Sequence, residues 1–165
     1  PFFLHGGLAL AEGRGERISE LRDPDQQTPL LLVWPGFPVA TPAAYRAFDA
    51  TPSRPRGRLT RGGAGTKIRQ FLELLEAGKW SWLRNDLEES VFQLYPKLRH
   101  LKHALQESGC ASAMLSGSGS TLLAVGDRTS LEQVGEFCER QGWGEVFLCE
   151  TVNRRAYRKR LFSAA

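Results

Sequence analysis

Hydrophobic positions along this chain alternate between two spacings, and each change of spacing marks an element. From Leu8 to Leu21, "LALAEGRGERISEL" gives two short extended segments about Gly13-Arg14-Gly15, a connection rich enough in glycine to turn a β-hairpin. "LLLVWPG" is a continuous apolar run stopped by Pro35-Gly36, the form of a buried strand. Thr41 before Pro42 places an N-cap and a first-turn proline ahead of "AAYRAF", so a short helix is expected there with Tyr45 just inside it. Residues 50–65 are nearly free of apolar side chains and read as an exposed, mobile connection. Helical periodicity resumes with Ile68, Phe71, Leu72 and Leu75, ended by Gly78.

Asn85 with Glu88 has the form of a capping box, followed by Leu87, Val91 and Leu94 on one face. Pro96 splits that element, and Leu98, Leu101 and Leu105 continue the stripe to Gly109. "ASAML" and "STLLAVG" read as strands flanking a glycine loop. Thr129 with Glu132 forms a second capping box, opening a helix through Arg140 whose core face is Leu131, Val134 and Cys138. The last strand is "EVFLCETV". These elements predict an α+β class, an antiparallel sheet with helices packed on one face.

Composition adds bounds. The 165 residues, 41% of them hydrophobic, can bury one core, so a single domain, residues 1–165, is expected. The apolar runs are too short and too broken for a membrane span, and no signal-peptide pattern opens the chain, which makes a cytoplasmic location the expectation. Cys110, Cys138 and Cys149 are widely spaced and form no C-x-x-C pair, so they read as buried free thiols. The net charge of +4 gathers in Arg54 to Arg61 and Arg154 to Arg160, runs that read as solvated arms or as contacts for anions. The abrupt start at Pro1, on Phe2 and Phe3, reads as an interior cut in a longer chain.

Candidate chemistry is sparse. In "SGSGS", Ser116 to Ser120, residues without Cβ let backbone N–H groups converge on an anion, but the same string also serves as a plain turn between strands. "GGAGTK", Gly62 to Lys67, fails as a phosphate loop because its Thr precedes its Lys after a polar stretch. His100 and His103 are one helical turn apart with no carboxylate or cysteine cluster to complete a metal site, and His5 has no nucleophile partner in the pattern.

Taken in order, "PFFLHGGLALAEGRGE", "LLLVWPGFPVATPAAY", "NDLE" and "CASAMLSGSGSTLLAV" closely resemble the C-terminal part of the 4-diphosphocytidyl-2-C-methyl-D-erythritol kinases. These form a family within the galactokinase, homoserine kinase, mevalonate kinase and phosphomevalonate kinase superfamily. The resemblance implies a ferredoxin-like C-terminal lobe of a two-lobed enzyme. That enzyme uses ATP and Mg2+ to phosphorylate the 2-hydroxyl of a cytidine-diphosphate-linked methylerythritol, a step of non-mevalonate isoprenoid precursor synthesis.

It further implies that the main phosphate loop, a lysine and the catalytic aspartate belong to the other lobe. This chain would then carry no catalytic residue, bind no cofactor alone and transfer nothing. On the same basis, Gly117, Ser118 and Gly119, with Ser116 and Ser120 beside them, form a phosphate-facing loop, and Tyr45 stacks on the substrate's cytosine. No metal ligand, nucleic acid or membrane partner is expected, while self-association through apolar surface near Phe2 and Phe3 is. The alternative is a basic nucleic-acid-binding module, suggested by the isoelectric point of about 9.2 and the arginine runs.

Overall fold

The computed structural model describes residues 5–24, 26–51, 64–80 and 83–162; Phe2, Phe3, the Arg54 to Arg61 run and the first residues of "GGAGTK" lie outside them. The chain divides into two compact units, one of Pro29–Cys149 and one of Pro1–Thr28 with Glu150–Ala165.

In the larger unit, strands β3 (Pro29–Trp34), β4 (Ser112–Leu115), β5 (Leu122–Val125) and β6 (Glu145–Glu150) form one sheet in the order β4-β5-β3-β6. Strand β5 runs antiparallel to both β4 and β3. Period-two alternation puts Ala113, Ala124 and Leu31 in one cross-strand row and Leu115, Leu122 and Val33 in the next, all buried. Two helices supply the matching stripes. Helix α4 (Pro96–Glu107) buries Leu98, Leu101 and Leu105, and α5 (Arg128–Arg140) buries Leu131, Val134 and Cys138. Helix α5 lies directly on the sheet at Gly135, where a Cβ would meet Leu31 Cδ1 at 3.4 Å and Val146 Cγ1 at 3.5 Å, ordinary van der Waals contact. The predicted α+β class, an antiparallel sheet with helices packed against it, holds.

Burial of Cys138 has a measurable consequence. Loss of solvation, with a smaller push from Cys110, raises its thiol from the ordinary 9.0 to about 11. The folded thiol keeps its proton where the unfolded one releases it. Stability from this residue is therefore full below about pH 9 and falls as pH rises toward about 11. Denaturant unfolding across that window, with wild type beside Cys138→Ala, checks this: wild type should lose stability more steeply, and parallel slopes would contradict it. The other two thiols, Cys110 and Cys149, are only half-buried, a correction to the sequence expectation.

Helices α1 (Thr41–Ala50), α2 (Ala64–Glu76) and α3 (Glu88–Leu94) complete this unit, with Gly78 at a φ of +61° just past α2. The break between α3 and α4 falls at Tyr95, before Pro96 as expected, and the Tyr95 ring stacks on Phe37 at 5.9 Å. Leu94 departs from the predicted buried face and is exposed.

All three predicted caps are placed differently. Helix α1 begins one residue earlier, with Ala40 as its N-cap and no side-chain capping bond. Helix α3 has Leu87 in that role. Helix α5 is capped by Asp127, whose carboxylate accepts from the Ser130 N–H, while Glu132 pairs with Arg128. That carboxylate is held below its usual range, chiefly by the Ser130 hydroxyl and N–H. A carboxylate at the first position accepts more strongly than the Thr129 hydroxyl two residues on, so the helix starts at the acid.

In the smaller unit, β1 (Ala9–Glu12) and β2 (Arg17–Glu20) pair antiparallel in the predicted hairpin. The arginine-rich end is not a free arm. It forms helix α6 (Arg154–Phe162), which begins where Asn153 Oδ1 accepts from the Ala156 N–H. The Arg154 guanidinium donates to the carbonyls of Leu8 (2.6 Å) and Leu21 (3.2 Å), and Arg158 pairs with Glu20. Asp23 accepts from the N–H groups of Leu8 (2.7 Å) and Arg154 (2.6 Å). Burial opposes its charge, but those bonds and the Arg154 charge outweigh it and hold the carboxyl below its ordinary value. His5 Nδ1 lies 3.1 Å from Glu20 Oε1. No helix among the described residues is long and apolar enough to cross a membrane.

Candidate functional site

The glycine loop links β4 to β5, and its backbone bonds define its character. Ser116 N–H donates to Thr121 O and Gly119 N–H to Ser116 O, both at 2.9 Å, closing a tight turn. Gly117 and Gly119 sit at φ +57° and +84°, values that exclude most side chains. The Ser120 hydroxyl is buried and donates to the Phe37 carbonyl.

Two groups from the start of α3 grip the root of the loop. Asn85 Nδ2 donates to Leu115 O (2.9 Å) and Gly117 O (2.6 Å), while its Oδ1 accepts from Leu87 N–H (3.0 Å). Glu88 Oε1 accepts from Leu115 N–H (2.7 Å), and its Oε2 accepts from Lys102 Nζ (2.7 Å) on α4. The carbonyls of Leu115, Ser116, Gly117 and Thr121 are thus all engaged by donors. No partner among the described residues takes the N–H of Gly117 or Ser118. The N–H groups of Gly117 and Ser118 are donors of the kind an anion requires, and the carbonyls of Ser118, Gly119 and Ser120 likewise have no partner among the described residues.

The same loop is tied to Tyr45 through α1. Thr41 Oγ1 and Ser118 Oγ form a hydrogen bond of 2.8 Å across 77 residues of sequence. Tyr45 follows Thr41 at i+4, so both lie on one side of α1, one turn apart. Its ring is 52% exposed, whereas the adjacent Ala44 is fully buried. The structure therefore joins Ser116 to Ser120 and Tyr45 along one edge of the larger unit. His100 and His103 instead line different hollows, of about 530 Å³ and about 450 Å³, on α4.

Asn85 and Glu88 stand in the sequence as a capping box, and their grip on the loop is not legible there. Their only signal is the "NDLE" string.

Residues 66–143, which contain Asn85, Glu88 and the whole loop, match the family model described as GHMP kinases C terminal. That stretch is similar to the C-terminal domain of the GHMP kinases. Relatives across a wider span agree with this. A 4-diphosphocytidyl-2-C-methyl-D-erythritol kinase of Nitratidesulfovibrio vulgaris (strain DP4) is 40% identical over 128 residues, which is 76% of this chain and 42% of that protein. The kinase of the same name from Solibacter usitatus (strain Ellin6076) is 36% identical over 160 residues, 96% of this chain and 48% of that protein.

A crystal structure of 4-(cytidine 5'-diphospho)-2C-methyl-D-erythritol kinase superposes with a TM-score of 0.66 at 27% identity, over 86% of this chain and 48% of the other. The chain spans about half the length of the curated relatives it matches. Thr41 and Tyr45 precede the segment matched to the GHMP kinase C-terminal model, so the bond from Thr41 to Ser118 links that segment to a helix outside it.

Proposed function

We propose that this chain is the C-terminal, substrate-side lobe of a two-lobed kinase that transfers a phosphoryl group from ATP to the 2-hydroxyl of 4-diphosphocytidyl-2-C-methyl-D-erythritol. The observation that carries this is the turn at Ser116 to Ser120, with the N–H groups of Gly117 and Ser118 open, bonded through Ser118 to the helix that presents an exposed Tyr45. A substrate with a diphosphate at its middle and a cytosine at one end needs an anion-facing loop and an aromatic surface on the same edge. The names of the relatives point to the same substrate.

In this reading the N–H groups of Gly117 and Ser118 hold phosphate oxygens, and the ring stacks on the base. Mg2+ arrives with the nucleotide, and no residue here is assigned to it. In the same reading the proton acceptor and the main phosphate loop belong to the other lobe, and Glu88, the carboxylate at the loop root, is engaged by Leu115 and Lys102. The nucleic-acid alternative lacks support: Arg154 and Arg158 are committed to carbonyls and carboxylates within their own unit.

The test is turnover of ATP and the cytidine-linked alcohol by the full-length protein, with the product located by phosphorus NMR. Phosphorylation at the 2-hydroxyl is expected, and no transfer by residues 1–165 alone. A full-length protein that phosphorylates homoserine or mevalonate but not the cytidine compound would overturn the assignment.

A further inference from the structure

The loop's charge distribution is not intrinsic to "SGSGS". Of the four carbonyls at its root, Ser116 O and Thr121 O are engaged by N–H groups within the turn, which leaves two that would otherwise stand unbonded beside its N–H groups, and carbonyl oxygens repel phosphate. Asn85 engages those two, Leu115 O and Gly117 O, with a single amide, and fixes its own orientation by accepting from Leu87 N–H. Glu88 adds a charge-assisted bond to Leu115 N–H, at the residue where the strand becomes the loop. Its second oxygen is held by Lys102, and both side chains of this pair are mostly shielded, 14% and 20% exposed. A shielded ion pair that also grips backbone keeps its geometry better than a surface pair. Lys102 itself lies over the face of the buried Phe92 ring, 5.9 Å from its centroid, which anchors the far end of the chain of contacts.

We propose that Asn85, Glu88 and Lys102 are positioning residues for the glycine-rich loop. Asn85 keeps its carbonyls engaged, and the pair of Glu88 with Lys102 pins its root, so that its unclaimed N–H groups are preset for phosphate oxygens. This deepens the kinase reading and rests on it for the identity of the anion. The arrangement also makes α4 part of the site, through Lys102.

Hydrogen exchange and kinetics on the full-length protein test this, using Asn85→Ala, Glu88→Gln, Lys102→Met and Lys102→Arg, with Glu89→Gln as a neighbouring control in an exposed pair. Exchange at the bonded amides of Leu115, Ser116 and Gly119 should quicken about tenfold in the first three, the scale of one lost bond to a charged group or of two neutral ones, and stay unchanged in Glu89→Gln. Lys102→Arg should restore most of the protection. The Michaelis constant for the cytidine substrate, whose diphosphate the loop faces, should rise by a similar factor while that for ATP moves less. Unchanged loop exchange in folded variants overturns the positioning role, whatever the enzyme acts on. Quickened exchange with an unchanged constant for the cytidine substrate overturns the link to phosphate. An inactive wild type would instead refute the kinase reading, with the exchange data still deciding the positioning. If Asn85→Ala does not fold, the two Lys102 variants decide alone.

Discussion

Replacing Gly119 by valine in the full-length protein is expected to lower kcat/KM by about 100-fold, the scale of a misplaced catalytic contact. The melting temperature should fall by only a few degrees. The backbone there is at φ +84°, a conformation a β-branched residue adopts only under strain. A Cβ at that position would lie 2.9 Å from Leu115 Cδ1, and Leu115 is fully buried, so the loop must move rather than the core. Strain of this kind costs about 1 to 3 kcal/mol, less than the stability of a typical domain. Gly117→Ala is the milder companion, because no atom lies within 4 Å of a Cβ there and only the φ of +57° opposes it. Steady-state kinetics beside thermal unfolding decide the matter. Turnover equal to wild type, or a loss fully explained by unfolding, would remove Gly119 from the site.

Tyr45→Ala should weaken binding of the cytidine substrate by about 1 to 3 kcal/mol, the range for base stacking on an aromatic ring. That is roughly five- to 150-fold in the dissociation constant. Tyr45→Phe should cost little, and affinity for ATP should barely change. A packing role predicts the opposite pattern, a lower melting temperature and equal losses for both ligands. The 52% exposure of the ring argues for stacking, since truncating it leaves no cavity under α1, whose buried contact is the neighbouring Ala44. Calorimetric titration of each ligand against both variants separates the two roles.

The elements legible in the sequence are those whose partners repeat at a fixed spacing. Leu98, Leu101 and Leu105, and likewise Leu131, Val134 and Cys138, read as helix faces because one turn recurs every 3.6 residues, and they are the faces buried on the sheet. The hairpin about Gly13 and Gly15 was legible for a similar reason, since both glycines take a positive φ that the tight connection requires. The glycine loop was visible as a string, and the family resemblance supplied its role. What the string lacked was the sign of its charge, because that depends on which backbone groups are already bonded.

Polar side chains were the hardest to place, and the caps show why. Thr41, Asn85 and Glu88 fit local capping patterns, yet each bonds a residue far along the chain: Ser118, Leu115 and Gly117, and Leu115 with Lys102. A hydroxyl, amide or carboxylate can bond almost any donor or acceptor, so short-range pattern ranks its options without choosing among them. The arginine-rich end misled for the same reason, because a guanidinium suits solvent, phosphate or carbonyls equally, and Arg154 found the carbonyls of Leu8 and Leu21.

The sequence by itself determined the α+β class, the core faces of α4 and α5, the hairpin and the place of the glycine loop, because burying apolar surface at regular periods leaves few alternatives. Only the tertiary structure decided which backbone groups of the loop are left open, that Thr41 ties it to the helix of Tyr45, and that Asn85, Glu88 and Lys102 hold its root. Those outcomes are hydrogen-bond pairings between residues 14 to 77 apart in the chain, and such pairings exist only once the core has brought their partners within 3 Å.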